Sequence, residues 1–352
     1  MRSLLRPAPL LSILTAATLL TAGCASQDTG SSGTPTDPTT TAAPAAAGSS
    51  APAATGASQA PATGTVTITD NHGQIEVPVK PAKVVALDNH VFATLAEWGV
   101  PLVAAPKGVM GKAFPTYTED AAVADIGNHR EPNLENIVAA QPDLIIGGYR
   151  FASHYDKIKE QNPQAVVIEL QPREGEDLGT ELKREIAVLG EIFDHKTEAA
   201  AIADGYDKAI AQAKDAYNGT DTVAGLIIGG GKIKYAAAGS GRSVGPVFPA
   251  LGLKPAIEAG AQDATHGDDV SVETIAASKA EWLIVLDQDA AIGGDEAIPA
   301  RKLLEESQAL ATLPAITKKQ VIYLDPSFYL TEDIQSYTRL YTSIAQAFSA
   351  AK

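Results

Sequence analysis

Asn133-Leu134-Glu135-Asn136-Ile137-Val138-Ala139-Ala140-Gln141-Pro142-Asp143-Leu144-Ile145-Ile146 runs from a polar residue through a short helical pattern into an apolar strand. The same order returns in Ser271-Val272-Glu273-Thr274-Ile275-Ala276-Ala277-Ser278-Lys279-Ala280-Glu281-Trp282-Leu283-Ile284. Each has a polar residue, an apolar one, Glu, any residue, Ile and then Ala, before an acidic residue and a strand. Similar units this far apart predict two pseudo-symmetric lobes.

The flanking sequence extends the pattern on both sides. Thr65 to Thr69 and Gln74 to Val79 alternate around Asp70-Asn71-His72-Gly73, which reads as a hairpin. Val84 to Leu87 is a short apolar strand, Val91 to Trp98 is helical in pattern and closed by Gly99, and Ala165 to Glu169 is another strand. Strands separated by helices imply mostly parallel sheets covered on both faces. Residues 197–217 are Ala-rich and lack Pro, with Ile202, Tyr206 and Ile210 at fourfold spacing. They predict one long helix of about 30 Å, after which a second series begins at Val223 to Ile228. The expected fold is therefore α/β, with two Rossmann-like lobes (64–196 and 218–352) joined by a single inter-lobe helix (197–217). Glu174 to Glu185 reads as a solvated, Glu-rich face.

The N-terminal end is of a different kind. Arg2 and Arg6 precede an apolar run from Leu10 to Leu20, too short to span a bilayer permanently, and Thr21-Ala22-Gly23-Cys24 follows. This order resembles a bacterial lipoprotein signal (1–23) whose Cys24 is lipidated, and two acyl chains give stable anchoring. An ordinary signal with an incidental cysteine is the alternative. Residues 24–63 then form an Ala/Ser/Thr/Pro linker with Asp28 and Asp37 as its charges, a composition that cannot bury a core. As a coil its reach is on the order of 35 Å. Removing the leader takes the net charge from −15 to −17, which argues against a nucleic-acid binder. The lone cysteine excludes a disulfide framework or a cysteine-based metal cluster within the chain.

Several further segments carry a family resemblance: Asp70 to Pro78 with Pro81 to Leu87, Pro106-Lys107-Gly108, Gly127 with Glu131 to Glu135, Pro142 to Ile146 with Arg150, Gly239 to Gly245, Thr265-His266-Gly267, Asp287 to Gly294, and Tyr323 to Pro326 with Tyr329-Leu330. In this order the chain resembles the class III solute-binding proteins of ABC importers, in the branch that captures ferric siderophores of catecholate type. The resemblance implies a cleft between the lobes, an extracytoplasmic, membrane-anchored monomer, and delivery to a permease dimer with its ATPase. Iron would be cargo, with no cofactor and no catalysis.

It also implies roles for particular residues. Arg150 and Arg242 correspond to arginines that point into the cleft, each after a predicted strand, where open α/β sheets place ligands. Arginine suits an anionic catecholate complex because its planar fork stays charged and stacks on rings. Gln288 stands where a third arginine is expected, which implies a ligand of lower charge or a different polar contact. His266 and Tyr329 match residues that complete an iron coordination sphere when the ligand supplies four donors; phenolate suits hard Fe(III). Glu135 and Glu273, at equivalent helix starts, match the acidic pair that docks on permease arginines.

A haem or other iron-chelate receptor is the alternative of the same fold, and a secreted hydrolase or adhesion domain one of a different class. Gly241-Arg242-Ser243-Val244-Gly245 has the form of a nucleophile elbow, but His266 is the only histidine beyond Ser243 and no acidic residue is suitably placed for a triad.

Overall fold

The computed structural model describes residues 64–352 apart from 261, 264 and 294–296. The leader, Cys24 and the linker lie outside the described residues, as does Gly294.

The chain starts as an antiparallel hairpin of β1 (Thr65–Asp70) and β2 (Gly73–Pro78). Its turn is held by the His72 amide donating to Asp70 Oδ1 at 2.8 Å. Five parallel strands follow: β3 (Val84–Ala86), β4 (Leu102–Ala105), β5 (Ala124–Asp125), β6 (Leu144–Gly147) and β7 (Val166–Glu169), in the order β5-β4-β3-β6-β7. Every residue of β3 and β6 is buried, as continuous Val/Ile runs require when helices cover both faces.

The second sheet contains β8 (Thr222–Gly229), β9 (Lys232–Tyr235), β10 (Lys254–Pro255), β11 (Asp268–Asp269), β12 (Trp282–Asp287) and β13 (Val321–Tyr323). The order is β11-β9-β8-β12-β13, with β10 beside β8. Strands β8, β10, β12 and β13 are parallel, while β9 runs antiparallel to β8 and to β11.

The echo is structural. Asn133 and Ser271 cap the helices Leu134–Ala140 and Val272–Ala277, each side chain accepting from the amide three residues on. Ile137 and Ile275 are the buried anchors, and the chain then enters β6 and β12.

The long helix is Lys196–Ala216, and two others pack around it: Leu178–Phe193 and Ile334–Ala350. Close approach depends on small residues. A Cβ on Gly190 would lie 2.7 Å from that of Ala199. Tyr206 meets Tyr341 edge-on, with ring centroids 5.6 Å apart. One continuous apolar core runs from Val84 and Ile146 through Tyr206 and Tyr341 to Ile284 and Phe328. A smaller core, including Leu226, Leu283 and Leu304, fills the remaining face of the second sheet.

The Glu-rich face is corrected at its helical end only, since Glu174 and Glu176 are exposed as expected. Glu181 and Glu185 are 1% and 3% exposed. Arg173 pairs with Glu181 through Nε and Nη2 (2.9 and 2.6 Å), and Arg184 through Nη2 at 3.0 Å. Chiefly through the Arg173 hydrogen bonds, the Glu181 carboxyl is held down at about 2. Glu185 has no such fork, and burial pushes its pKa up. Paired guanidiniums therefore let Glu181 turn inward as a charged group.

Candidate functional site

Strand β6 ends at Gly147 and is followed by Gly148, with φ 113, where any Cβ would collide with Gln171 Oε1 and lie 3.0 Å from Asp88 Oδ2. Glycine there lets the chain turn, presenting Tyr149 and Arg150 at the start of a 3-10 segment. From the second lobe come Arg242 and Ser243, Gln288 just after β12, and Tyr329 on the one-turn helix Phe328–Thr331. Glu332 caps that helix in the left-handed region, with φ 50.

These residues meet. The guanidinium carbon of Arg242 lies 4.9 Å from the centroid of the Tyr329 ring and 5.7 Å from that of Tyr149. Arg150 lies 5.5 Å from both rings. Gln288 Nε2 donates to Tyr329 Oη at 3.1 Å. Arg242 Nε donates to Glu332 Oε1 and Oε2 (2.9 and 2.8 Å), Tyr149 Oη donates to Glu332 Oε2 at 2.7 Å, and Ser243 Oγ donates to Glu332. Two rings, two guanidiniums, an amide and a carboxylate thus form one cluster drawn from both lobes. The lobes are also stitched nearby: Asn89 Nδ2 donates to the Leu330 carbonyl at 2.5 Å and Gln335 Nε2 to Thr94 Oγ1 at 2.8 Å.

The electrostatics follow from burial. Desolvation disfavours the Arg242 charge, but Glu332 and the neighbouring phenols outweigh it and raise its pKa. Burial, reinforced by Glu332, pushes the Tyr149 phenol far up, so it keeps its proton and donates. His129 is lowered by burial and by Arg150, so it is neutral at pH 7 and adds no positive charge.

Arg150, Arg242, Gln288 and Tyr329 are brought together. His266 is not joined to them: its ring is exposed, and Nδ1 faces Asp263 Oδ2 at 3.4 Å. Glu135 and Glu273 sit exposed on the first turns of the two capped helices. The reason given for Arg242 needs correction. Strand β9 is antiparallel to β8, so its carboxyl end is not on the ligand edge of the parallel strands. The guanidinium reaches Tyr329 from the loop that follows, which folds back with Gly239 N donating to Gly245 O at 2.8 Å. The Ser243 hydroxyl is buried and spent on Glu332, so it is not set as a nucleophile.

Tyr149, Glu332 and a buried trio of Asp88, His90 and Glu185 escaped the sequence. His90 Nδ1 lies 2.9 Å from Asp88 Oδ1, and its ring packs 4.6 Å from that of Tyr149. Tyr149 adjoins Arg150 and Glu332 is three residues after Tyr329, so proximity to recognised positions was the available signal. Two surface hollows, of about 690 Å³ beside Ile233 and Val272 and about 430 Å³ beside Tyr206 and Tyr341, include none of the cluster residues.

Two α/β lobes with a cationic and aromatic cluster between them define a bilobal ligand-binding protein. The chain belongs to the periplasmic binding protein family, whose model matches residues 84–328. It is 28% identical over 262 residues to the petrobactin-binding protein YclQ of Bacillus subtilis, covering 73% of this chain and 78% of the relative. It is 26% identical over 268 residues to the ferric-anguibactin-binding protein FatB of Vibrio anguillarum, covering 76% and 82%. Its fold resembles a TroA-like periplasmic binding protein from Xylanimonas cellulosilytica, with a TM-score of 0.69, 26% identity, and 83% and 100% of the chains covered.

Proposed function

We propose that this protein captures a ferric siderophore of catecholate type between its lobes and hands it to the permease of an ABC importer. The observation that carries this reading is the pair of guanidiniums, Arg150 and Arg242, at 5.5 and 4.9 Å from the Tyr329 ring. A ferric catecholate is a flat anion with ring faces and oxygen edges. Guanidinium planes stack on such rings and donate in-plane to such oxygens. Relatives whose names specify petrobactin and ferric anguibactin support the ligand class.

Iron enters as cargo, and the protein needs no cofactor of its own. Arg150, Arg242 and Gln288 bind the ligand. Where it supplies only four donors, Tyr329 and His266 complete the iron sphere, for which His266 must leave Asp263. Glu135 and Glu273 dock on the permease dimer with its ATPase. Cys24 carries the lipid that holds this monomer on the outer face of the cell membrane. Quenching of Trp98 and Trp282 fluorescence by a panel of ferric catecholate, ferric hydroxamate, haem and cobalamin tests the reading. Saturable quenching by the ferric catecholate at the lowest concentration is expected; quenching by haem alone, or by none, overturns it.

A further inference from the structure

Arg242 does not face the cleft as an unopposed cation. Its Nε is shared between both oxygens of Glu332, which also accepts from Tyr149 and Ser243. Glu332 is 5% exposed, so its carboxylate is held by donors from both lobes and little by water. The backbone marks the same group. Tyr149 (φ 48), Ser243 (φ 64) and Glu332 (φ 50) are all left-handed, a region that non-glycine residues occupy at a cost. Three such residues converge on one carboxylate, as strained positions do where a side chain must be held in a set place.

The charge balance follows. Beside Tyr329 the charged side chains of the cluster are Arg150, Arg242 and Glu332, while Gln288 is neutral. Arg242 Nη2 and Arg150 Nε are buried and have no hydrogen-bond partner among the described residues. A ligand therefore meets two guanidiniums with a carboxylate fixed behind one of them. Repulsion from a buried carboxylate rises in proportion to ligand charge and is weakly screened. Fe(III) with two catecholate dianions carries one net negative charge; with three it carries three.

We infer that Glu332 is a fixed counter-ion that tunes the response of the site to ligand charge: beside two guanidiniums it leaves the cluster one net positive charge where there would be two, and so cuts the attraction for the triply charged tris-catecholate three times as much as that for the singly charged bis-catecholate. This rests on the ferric-catecholate reading of the site. It makes Glu332 a specificity-determining residue that acts through Arg242 and through its own field.

The test is a pair of equilibrium titrations with a tetradentate bis-catecholate and a hexadentate tris-catecholate, each loaded with Fe(III), at low and high salt. The ratio of the two affinities in the wild-type protein is the reference, and because the carboxylate is buried the change that the variant makes in that ratio is expected to be nearly the same at both salt concentrations. Glu332→Gln, checked for folding by its thermal melt, is expected to tighten the tris-catecholate by about tenfold while moving the bis-catecholate by less than about threefold. An unchanged ratio in Glu332→Gln, or equal weakening of both complexes, overturns the counter-ion role and leaves the receptor reading standing. Failure of the wild type to bind either complex overturns the receptor reading itself, and the inference with it.

Discussion

Removing the guanidinium of Arg242 leaves Glu332 buried with only hydroxyl donors, since the two side chains are 12% and 7% exposed. Breaking one partner of such a pair costs on the order of 3 kcal/mol. Arg242→Ala is therefore expected to lose both ligand affinity and melting temperature. Arg242→Ala with Glu332→Ala should lose less stability than the single Arg242 variant, a coupling that a double-mutant cycle in denaturant measures; strictly additive losses would contradict the pairing. A second residue-scale expectation concerns pH. Burial disfavours the charged form of His90, but Asp88, through charge and hydrogen bond, outweighs it and raises the pKa to about 9. An unfolded histidine titrates near 6.5. The stabilisation is thus complete below about pH 6.5 and lost as pH rises toward 9, at about 1.4 kcal/mol per unit of difference. Burial also raises Glu185 and Asp333, and the stability they lend likewise falls with rising pH. Glu181 acts oppositely, its contribution vanishing as pH falls from the ordinary carboxylate range through about 2. Calorimetric melting temperatures should be highest in mild acid and fall between pH 6.5 and 9; a flat profile there would contradict a charged His90.

At the scale of elements, the short helix before a strand is the unit repeated in both lobes. Asn133→Ala or Ser271→Ala should each cost about 1 kcal/mol by loss of the cap, read from denaturant midpoints. Gly148→Ala should cost more, on the order of 1–3 kcal/mol, and weaken ligand binding too, because the turn that aims Tyr149 and Arg150 has no room for a methyl group. Local pattern carried the repeat, most strands and the long helix, which starts one residue before the expected 197. The reversed β9 did not show, because a short alternating strand reads alike in either direction. Buried Glu181 and Glu185 did not show either, since the partners that permit burial lie on other segments. That Arg150, Arg242, Gln288 and Tyr329 would lie near one another was implied by the family resemblance of their segments. The Tyr149 to Glu332 bond joins residues 183 positions apart and was not.

Across residues 64–352 the two lobes are tied together at several points. A core continuous from Val84 to Phe328, three packed helices, the hydrogen bond that Asn89 donates to Leu330 and the one that Thr94 accepts from Gln335 all resist a wide hinge. Small-angle scattering with and without ferric ligand should accordingly give nearly the same radius of gyration. Docking belongs to the opposite requirement, exposed charge. Glu135→Arg with Glu273→Arg should abolish iron uptake by cells while leaving ligand affinity within about twofold, as expected for charges that orient an encounter. Loss of ligand binding would contradict that division of labour. Calorimetric titration of the folded protein with ferric bis-catecholate tests the central claim most directly. Saturable binding at one ligand per chain, weakened at least tenfold in Arg150→Ala, is expected; no binding by a protein with a normal thermal melt would contradict it.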